Sequence, residues 1–109
     1  MKKSEYIIKT GEYFKSFKDK DLTSLERLYA SNIRLTDWVI DVTGKEKVLM
    51  VNKDLFKNDF KLEVISTKQL DKKTYNEITV EIGGEFINVF DIITFNDNFK
   101  IENITAYMR

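Results

Sequence analysis

The sequence predicts an α+β domain in which helices precede a strongly bent, mostly antiparallel sheet, and three observations support this fold class. The chain has 109 residues, 42% of them hydrophobic, so it can bury a core but is too short for a second domain. Apolar residues recur every three or four positions in the first third. After residue 59, alternating apolar and polar stretches are separated by short turns. We therefore expect residues 1–109 to form one domain, with three helices packed on the sheet.

The first helix is predicted over residues 4–18. Ser4 is a suitable N-cap residue, and Glu5 provides the negative charge that is favourable in a first helical turn. Gly11 interrupts the helix at a cost of about 1 kcal/mol relative to Ala. The residues of the buried stripe are expected to be Tyr6, Ile7, Thr10, Tyr13, Phe14 and Phe17.

Two more helices and one strand are predicted in the middle of the chain. Asp21 caps a short second helix, a strand follows at residues 33–39, and a loop then runs to Gly44. The third helix is expected over residues 45–57. The apolar positions of the second helix are Leu22, Leu25, Leu28 and Tyr29. Those of the third helix are Val48, Leu49, Val51, Leu55 and Phe56.

The rest of the chain predicts four strands joined by hairpin turns. They are expected at residues 60–70, 74–82, 85–95 and 100–108. The adjacent glycines Gly83 and Gly84 are a strong signal for a two-residue hairpin turn. The alternation breaks at Val64 and Ile65, which predicts a bulge or a bend in the first of these strands.

Composition excludes several kinds of chemistry. The chain has no Cys and no His, which excludes disulfides, thiolate nucleophiles, Ser-His-Asp triads and His-ligated metals. Lys+Arg and Asp+Glu both number 18, and this balance argues against nucleic acid or an anionic membrane as the main partner. Without an apolar run of the length of a signal peptide or membrane span, the protein is predicted to be cytoplasmic. Acid–base work would fall to carboxylates, Tyr or Lys with shifted pKa values.

Two aspartates lie in unusually apolar surroundings. By the period of two, Asp37 shares its side of a predicted strand with Ile33 and Leu35, whereas Arg34 lies on the opposite side. The neighbours of Asp91 on its own side of the strand are all apolar. A buried ionised carboxylate is costly, so such a residue should be paired, hydrogen-bonded or protonated. The alternative is an aspartate that lies at a sheet edge, faces water or bonds a nearby backbone amide.

Tyr13 is the third candidate. At helical spacing it fills the core, but a buried phenol still needs a partner for its hydroxyl. If the first helix packs on the concave face of the sheet, this hydroxyl could meet the two aspartates. The position of Arg34 opposite Asp37 counts against a site in which two aspartates and an arginine activate water.

The order of these features resembles the nuclear transport factor 2-like superfamily, which includes the ketosteroid isomerases and the SnoaL-like polyketide cyclases. The resemblance spans nearly the whole chain. It is carried by the aromatic first helix, Gly44 and residues 20–22, 28–30, 33–37, 91–96 and 100–101. It implies a cystatin-like fold: a cone of three helices over a curved sheet, enclosing an apolar cavity. It further implies a homodimer formed through the outer sheet face.

The resemblance is closer to the bacterial ketosteroid isomerases, and it implies roles for the three candidates. Asp37 falls on the general base, whereas Tyr13 and a protonated Asp91 fall on the donors of the oxyanion hole. The implied ligand is a small apolar compound with a carbonyl group, and the implied reaction needs neither cofactor nor metal. The residues expected to line the cavity and bind substrate are Phe14, Phe17, Val51, Leu55, Ile104, Ala106 and Met108.

The sequence departs from the isomerases in three places. Trp38 stands where they usually have Pro, the loop from Trp38 to Gly44 is shorter, and Asn52 stands where some of them have a supporting tyrosine. Two further functions therefore stay open beside an isomerase or cyclase. One is a carrier or sensor that binds a small molecule without turnover, and the other is a dimerisation module.

Overall fold

The computed structural model describes residues 4–109, which fold into three helices and one six-stranded sheet. The helices are α1 (Glu5–Lys18), α2 (Leu22–Leu28) and α3 (Lys45–Leu55). The strands are β1 (Tyr29–Thr36), β2 (Asp41–Thr43), β3 (Phe60–Leu70), β4 (Lys73–Ile82), β5 (Glu85–Phe95) and β6 (Ile101–Met108). The predicted α+β class is confirmed.

The first two helices begin at the predicted capping residues. The Ser4 side chain accepts a hydrogen bond from the backbone N–H of Ile7 at 3.1 Å. The Asp21 carboxylate accepts from the backbone N–H of Ser24, also at 3.1 Å. Both caps satisfy backbone donors that have no partner inside a helix, so they determine where α1 and α2 begin.

The sheet has the order β2-β1-β6-β5-β4-β3 and is mostly antiparallel, as predicted. The pairing of β1 with β6 is parallel, which makes the sheet mixed. The break predicted in β3 is confirmed, because its register with β4 shifts between Val64 and Ser66. Gly83 and Gly84 both have positive φ angles, which suits the turn that joins β4 to β5.

The predicted boundaries around β1 are wrong. Strand β1 begins at Tyr29, which was expected in the second helix, and it ends at Thr36 rather than at residue 39. The chain turns at Asp37, whose N–H donates to the carbonyl of Ile40 at 2.8 Å. The turn then leads into strand β2, where a loop was predicted. Trp38 and Val39 look like strand residues in sequence, but they form the tip of this turn.

The helices cover one face of the sheet, and the core lies between them and the strands. Its most completely buried side chains are Leu25, Tyr29, Ile33, Val48, Ile93, Phe95, Ile101 and Ile104. A buried hydrogen bond of 2.8 Å between the Thr10 and Thr74 hydroxyls joins α1 to β4. Within residues 4–109, no helix combines the length and the hydropathy needed to cross a membrane.

Candidate functional site

A cavity of about 480 Å³ lies between the helices and the covered face of the sheet. This volume falls within the roughly 300–1,000 Å³ of ordinary small-molecule sites. Most of its walls are apolar. Of the residues expected to line it, those that do so are Phe14, Phe17, Val51, Leu55, Ile104 and Ala106.

Met108 does not line the cavity, contrary to the expectation. It lies on β6 in the same alternation as Ile104 and Ala106, but its side chain is 54% exposed. The pairing of β1 with β6 ends at Thr105, so β1 does not accompany β6 as far as Met108. The strand period gave the correct face, but it could not show where the covered part of β6 ends.

Asp91 lies inside the cavity on a strand that is paired on both sides. Its neighbours across the sheet are Asn76 on β4 and Ala106 on β6. The side chain is buried, and within the described residues its carboxyl group makes no hydrogen bond. Burial, with a smaller contribution from the charge of Asp37, raises the pKa of Asp91 to about 7. A substantial fraction of this group is therefore a neutral acid near pH 7, able to donate a hydrogen bond.

Asp37 also lines the cavity, but it lies in the turn between β1 and β2 rather than on a strand. Its Oδ1 accepts hydrogen bonds from the backbone N–H groups of Val39, at 2.7 Å, and Ile40, at 2.6 Å. The side chain is half-buried. The two backbone donors hold one carboxylate oxygen in place, and the other oxygen, Oδ2, makes no hydrogen bond within residues 4–109.

Tyr13 completes the predicted group from the side of α1. Its ring packs against Phe14, Phe17 and Tyr29, with ring centroids 5.1, 5.8 and 6.4 Å apart. Among residues 4–109, its hydroxyl is hydrogen-bonded neither to Asp91 nor to Asp37, although all three residues line the same cavity. Burial, then the charges of Tyr29 and Asp91, raise the pKa of Tyr13 well above its usual value. The phenol stays protonated and can donate to a ligand.

Asn52 is a polar residue of the cavity for which no functional role was predicted. It is 4% exposed on α3, and its Oδ1 accepts a hydrogen bond of 2.6 Å from the hydroxyl of Tyr29. The signal in the sequence was its position four residues after Val48, on the apolar side of the helix. A polar residue on that side must have partners, and here one of them is Tyr29.

Arg34 lies outside the cavity, as its position in the strand predicted. It donates to both carboxylate oxygens of Asp41, at 2.9 and 2.8 Å, and both side chains are about half exposed. A site in which an arginine and two aspartates activate water therefore cannot form here from Arg34.

The charged residues among those that line the cavity are all acidic: Asp37, Asp54 and Asp91. Asp54 is largely exposed and pairs with Lys57 at 3.3 Å, and Asp91 is partly neutral, but no Lys or Arg lines the cavity within residues 4–109. An anionic ligand would lose water there without gaining a positive partner, which is costly. A neutral ligand meets no such barrier. The apolar walls and the two unpartnered donors suit a neutral compound with an oxygen atom at one end.

No family model matches the chain, and no curated protein matches it either. Solved structures do match it. A steroid delta-isomerase from Pseudomonas aeruginosa is 15% identical, with a TM-score of 0.83 over 98% of this chain and 81% of that one. An NTF2-like protein of unknown function from Cytophaga hutchinsonii is 14% identical, with a TM-score of 0.84 over 100% of this chain and 95% of that one.

An LEH-like epoxide hydrolase from M. tuberculosis is 11% identical, with a TM-score of 0.80 over 96% of this chain and 83% of that one. The chain thus has the fold of the nuclear transport factor 2-like superfamily, as the sequence predicted. Identities this low show the fold alone, and the named activities of these proteins differ from one another. Function must therefore be argued from the site.

Proposed function

We propose that the protein binds a small, neutral, apolar carbonyl compound and moves a proton at the carbon next to the carbonyl group. The observation that carries this proposal is a pair of buried side chains, Tyr13 and Asp91, whose hydroxyl and carboxyl groups make no hydrogen bond within residues 4–109 and which line an apolar cavity together with Asp37. Two donors aimed into such a cavity suit an oxygen atom on which negative charge develops. A carboxylate on the same cavity supplies a base.

In the proposed reaction, Asp37 takes a proton from the carbon next to the carbonyl. The electron pair of the broken C–H bond forms a C=C bond, and the carbonyl π electrons move to oxygen. Tyr13 and neutral Asp91 donate hydrogen bonds to this enolate oxygen. Asp37 then returns the proton to the same carbon or to another carbon of the conjugated system, which regenerates the enzyme. No cofactor or metal takes part in this scheme.

The two acids suit different roles. The raised pKa of Asp91 keeps a fraction of it protonated near pH 7, as a donor must be. The Oδ1 atom of Asp37 is already held by two backbone N–H groups, so its Oδ2 is the free atom for proton transfer. A positioned base typically contributes about 10²–10⁴ in rate, and one oxyanion donor contributes about 10²–10³.

Deuterium exchange tests this proposal. The wild-type protein should speed the exchange of the acidic C–H protons of 2-tetralone with D₂O, followed by NMR. Asp37→Asn should lose about 10²–10⁴ of the rate because the base is gone. Tyr13→Phe should lose about 10²–10³. Asp54→Asn, which changes a carboxylate on the same cavity, is the matched control and should keep the rate.

A carrier or sensor is the alternative that the same cavity permits. Its walls alone suffice to bind an apolar ligand, and this reading needs no turnover. Tight binding of 2-naphthol, together with exchange no faster than in buffer, would favour the carrier and contradict the proton-transfer proposal. If the protein neither binds 2-naphthol nor speeds the exchange, both the carrier function and the proton-transfer proposal are contradicted.

We further propose that two copies associate through the outer face of the sheet. That face carries the aromatic pair Tyr75 and Phe90, with ring centroids 6.3 Å apart, next to Tyr107, which pairs with Phe90 and is 54% exposed. Tyr75 and Phe90 are partly exposed, and aromatic residues clustered at a surface are typical of interfaces. Light scattering should give twice the chain mass for wild type and the monomer mass for Tyr107→Glu.

The cytoplasmic location stays a prediction from sequence.

A further inference from the structure

Within residues 4–109, the side-chain amide of Asn52 has a hydrogen-bond partner for its oxygen but not for its nitrogen. Its Oδ1 accepts from the Tyr29 hydroxyl at 2.6 Å. Its Nδ2 makes no hydrogen bond within residues 4–109. In that part of the chain, every side-chain N or O atom sealed from solvent has a partner. The Nδ2 atom is therefore not sealed, and because Asn52 lines the cavity, this donor is open to it.

Tyr29 determines which end of the amide is open. A tyrosine hydroxyl can donate or accept, but its short bond to Oδ1 commits its hydrogen to Asn52. Tyr29 is itself 1% exposed and lies at the start of β1, so its position is fixed by the core. Tyr29 thus binds the oxygen of the Asn52 amide, and the N–H groups of the amide remain for the ligand.

We propose that Asn52 is a third binding residue of this cavity and donates through Nδ2 to a second acceptor atom of the ligand. This inference rests on the proposed function for the first acceptor, the carbonyl oxygen that meets Tyr13 and Asp91. The preferred substrate is then a carbonyl compound with a second neutral oxygen, such as an ether, hydroxyl or ketone group. A simple ketone leaves the Asn52 donor unmet and binds less well.

The charged residues that line the cavity limit the chemical class of the ligand's second acceptor. A carboxylate or phosphate could accept from Asn52, but it would enter a cavity whose charged residues, among those described, are Asp37, Asp54 and Asp91. Since no Lys or Arg lines the cavity within residues 4–109, an anion would lose water there without gaining a positive partner, which is costly. The substrate class is therefore a neutral compound with two oxygen acceptors and an otherwise apolar skeleton.

Matched naphthols test the inference without knowledge of the substrate. The probes are 2-naphthol and its 3-, 6- and 7-methoxy derivatives, with the corresponding ethyl derivatives as controls of the same shape that lack the ether oxygen. Dissociation constants are measured by fluorescence. In the wild type, at least one methoxy compound should bind more tightly than its ethyl control. In Asn52→Leu this preference should fall by roughly two- to tenfold, the range that a hydrogen bond worth ~0.5–1.5 kcal/mol gives.

A second variant covers the case in which Asn52→Leu fails to fold because the Tyr29 hydroxyl loses its acceptor. The double variant Tyr29→Phe, Asn52→Leu removes both partners together and leaves no buried polar group unpaired. It should show the same fall in the methoxy preference. Tyr29→Phe alone keeps the Asn52 side chain but frees its amide to turn, so it should lower the preference by less than either Asn52 variant does.

The failure of this inference and the failure of the proposed function give different results. If the affinity of every methoxy compound relative to its ethyl control is the same in both Asn52 variants as in the wild type, Asn52 is a structural residue and the inference is overturned. If the affinity for plain 2-naphthol is the same in Tyr13→Phe as in the wild type, the proposed oxyanion site is wrong. That second result does not decide the role of Asn52, which is decided by the methoxy preference measured in the Asn52 variants.

Discussion

Asp91 and Asp37 line the same cavity, but the protein holds them in different ways. Asp91 lies in the middle of β5, between two paired strands, and its carboxyl group has no hydrogen-bond partner in the part of the chain that the structure describes. Asp37 lies in a turn, and two backbone N–H groups bind its Oδ1. One acid is positioned by the sheet around it, whereas the other helps to build the turn that positions it.

This difference places the two carboxyl groups in different environments, and the proposed reaction uses them for different tasks. Removal from water favours the neutral form of a carboxyl group, and it is the first cause of the raised pKa of Asp91. The charge of Asp37 adds to that effect, so the two groups are coupled. A negative Asp37 helps to keep the proton on Asp91, which is the division between base and acid that the proposed reaction uses.

The largest stability effect is expected for Asp91→Asn. The folded state holds the Asp91 proton up to about pH 7, whereas an exposed aspartate loses it near 3.8. The folded state therefore binds more protons in this range, and the unfolding free energy falls as the pH rises through it. At ~1.4 kcal/mol per pH unit, the penalty reaches roughly 4 kcal/mol at about pH 8. Asparagine is neutral and carries no such penalty.

Urea titrations of wild type and Asp91→Asn between about pH 4 and about pH 8 measure this effect. The variant should be the more stable protein at the high end, and the gap should close towards the low end. Other carboxylates also titrate in this range, but those not coupled to Asp91 are common to both proteins and cancel in the difference. Asp37, which is coupled to Asp91, contributes to the measured gap. A gap that does not change with pH would mean that Asp91 has an ordinary pKa, and its donor role would be lost.

The second expected effect concerns the turn at Asp37. Asparagine keeps a side-chain oxygen that can accept from the N–H groups of Val39 and Ile40, so Asp37→Asn should cost less than about 0.5 kcal/mol. Asp37→Ala removes the acceptor, and it should cost about 1–2 kcal/mol because two hydrogen bonds are lost. Urea titration at one pH compares them. Equal losses in the two variants would show that the hydrogen bonds do not hold the turn.

The sequence predicted Asp91 better than Asp37, and the reason lies in how each is held. Strand alternation extends over all of β5, so the side that Asp91 faces follows from its neighbours. The turn after β1 contains neither Gly nor Pro, and its bonds come from the Asp37 side chain. Trp38 and Val39 favour strands, so the pattern continued the strand too far.

For a related reason, the sequence predicted neither the early start of β1 nor the contact between Asn52 and Tyr29. The leucine spacing of α2 extends to Tyr29, so local pattern placed that residue in the helix, but pairing with Ile101 puts it in the sheet. The bond between Tyr29 and Asn52 joins residues 23 positions apart. Contacts of this kind depend on tertiary packing, which overrides a local preference. The fold itself follows from patterns that are local, and so it was predicted correctly.

Asp41 provides the smallest expected effect and a third way to hold a carboxylate. It lies on the surface, where Arg34 binds both of its oxygens and lowers the pKa of the carboxyl group. Its contribution to stability is therefore present above its ordinary pKa and is lost as the pH falls, which is the reverse of Asp91. Since both partners are exposed, Asp41→Asn should change the urea midpoint little, and less still at high salt. A loss as large as that of Asp37→Ala would show that exposure to water does not weaken this pair, and the contrast between the buried and the exposed acids would no longer hold.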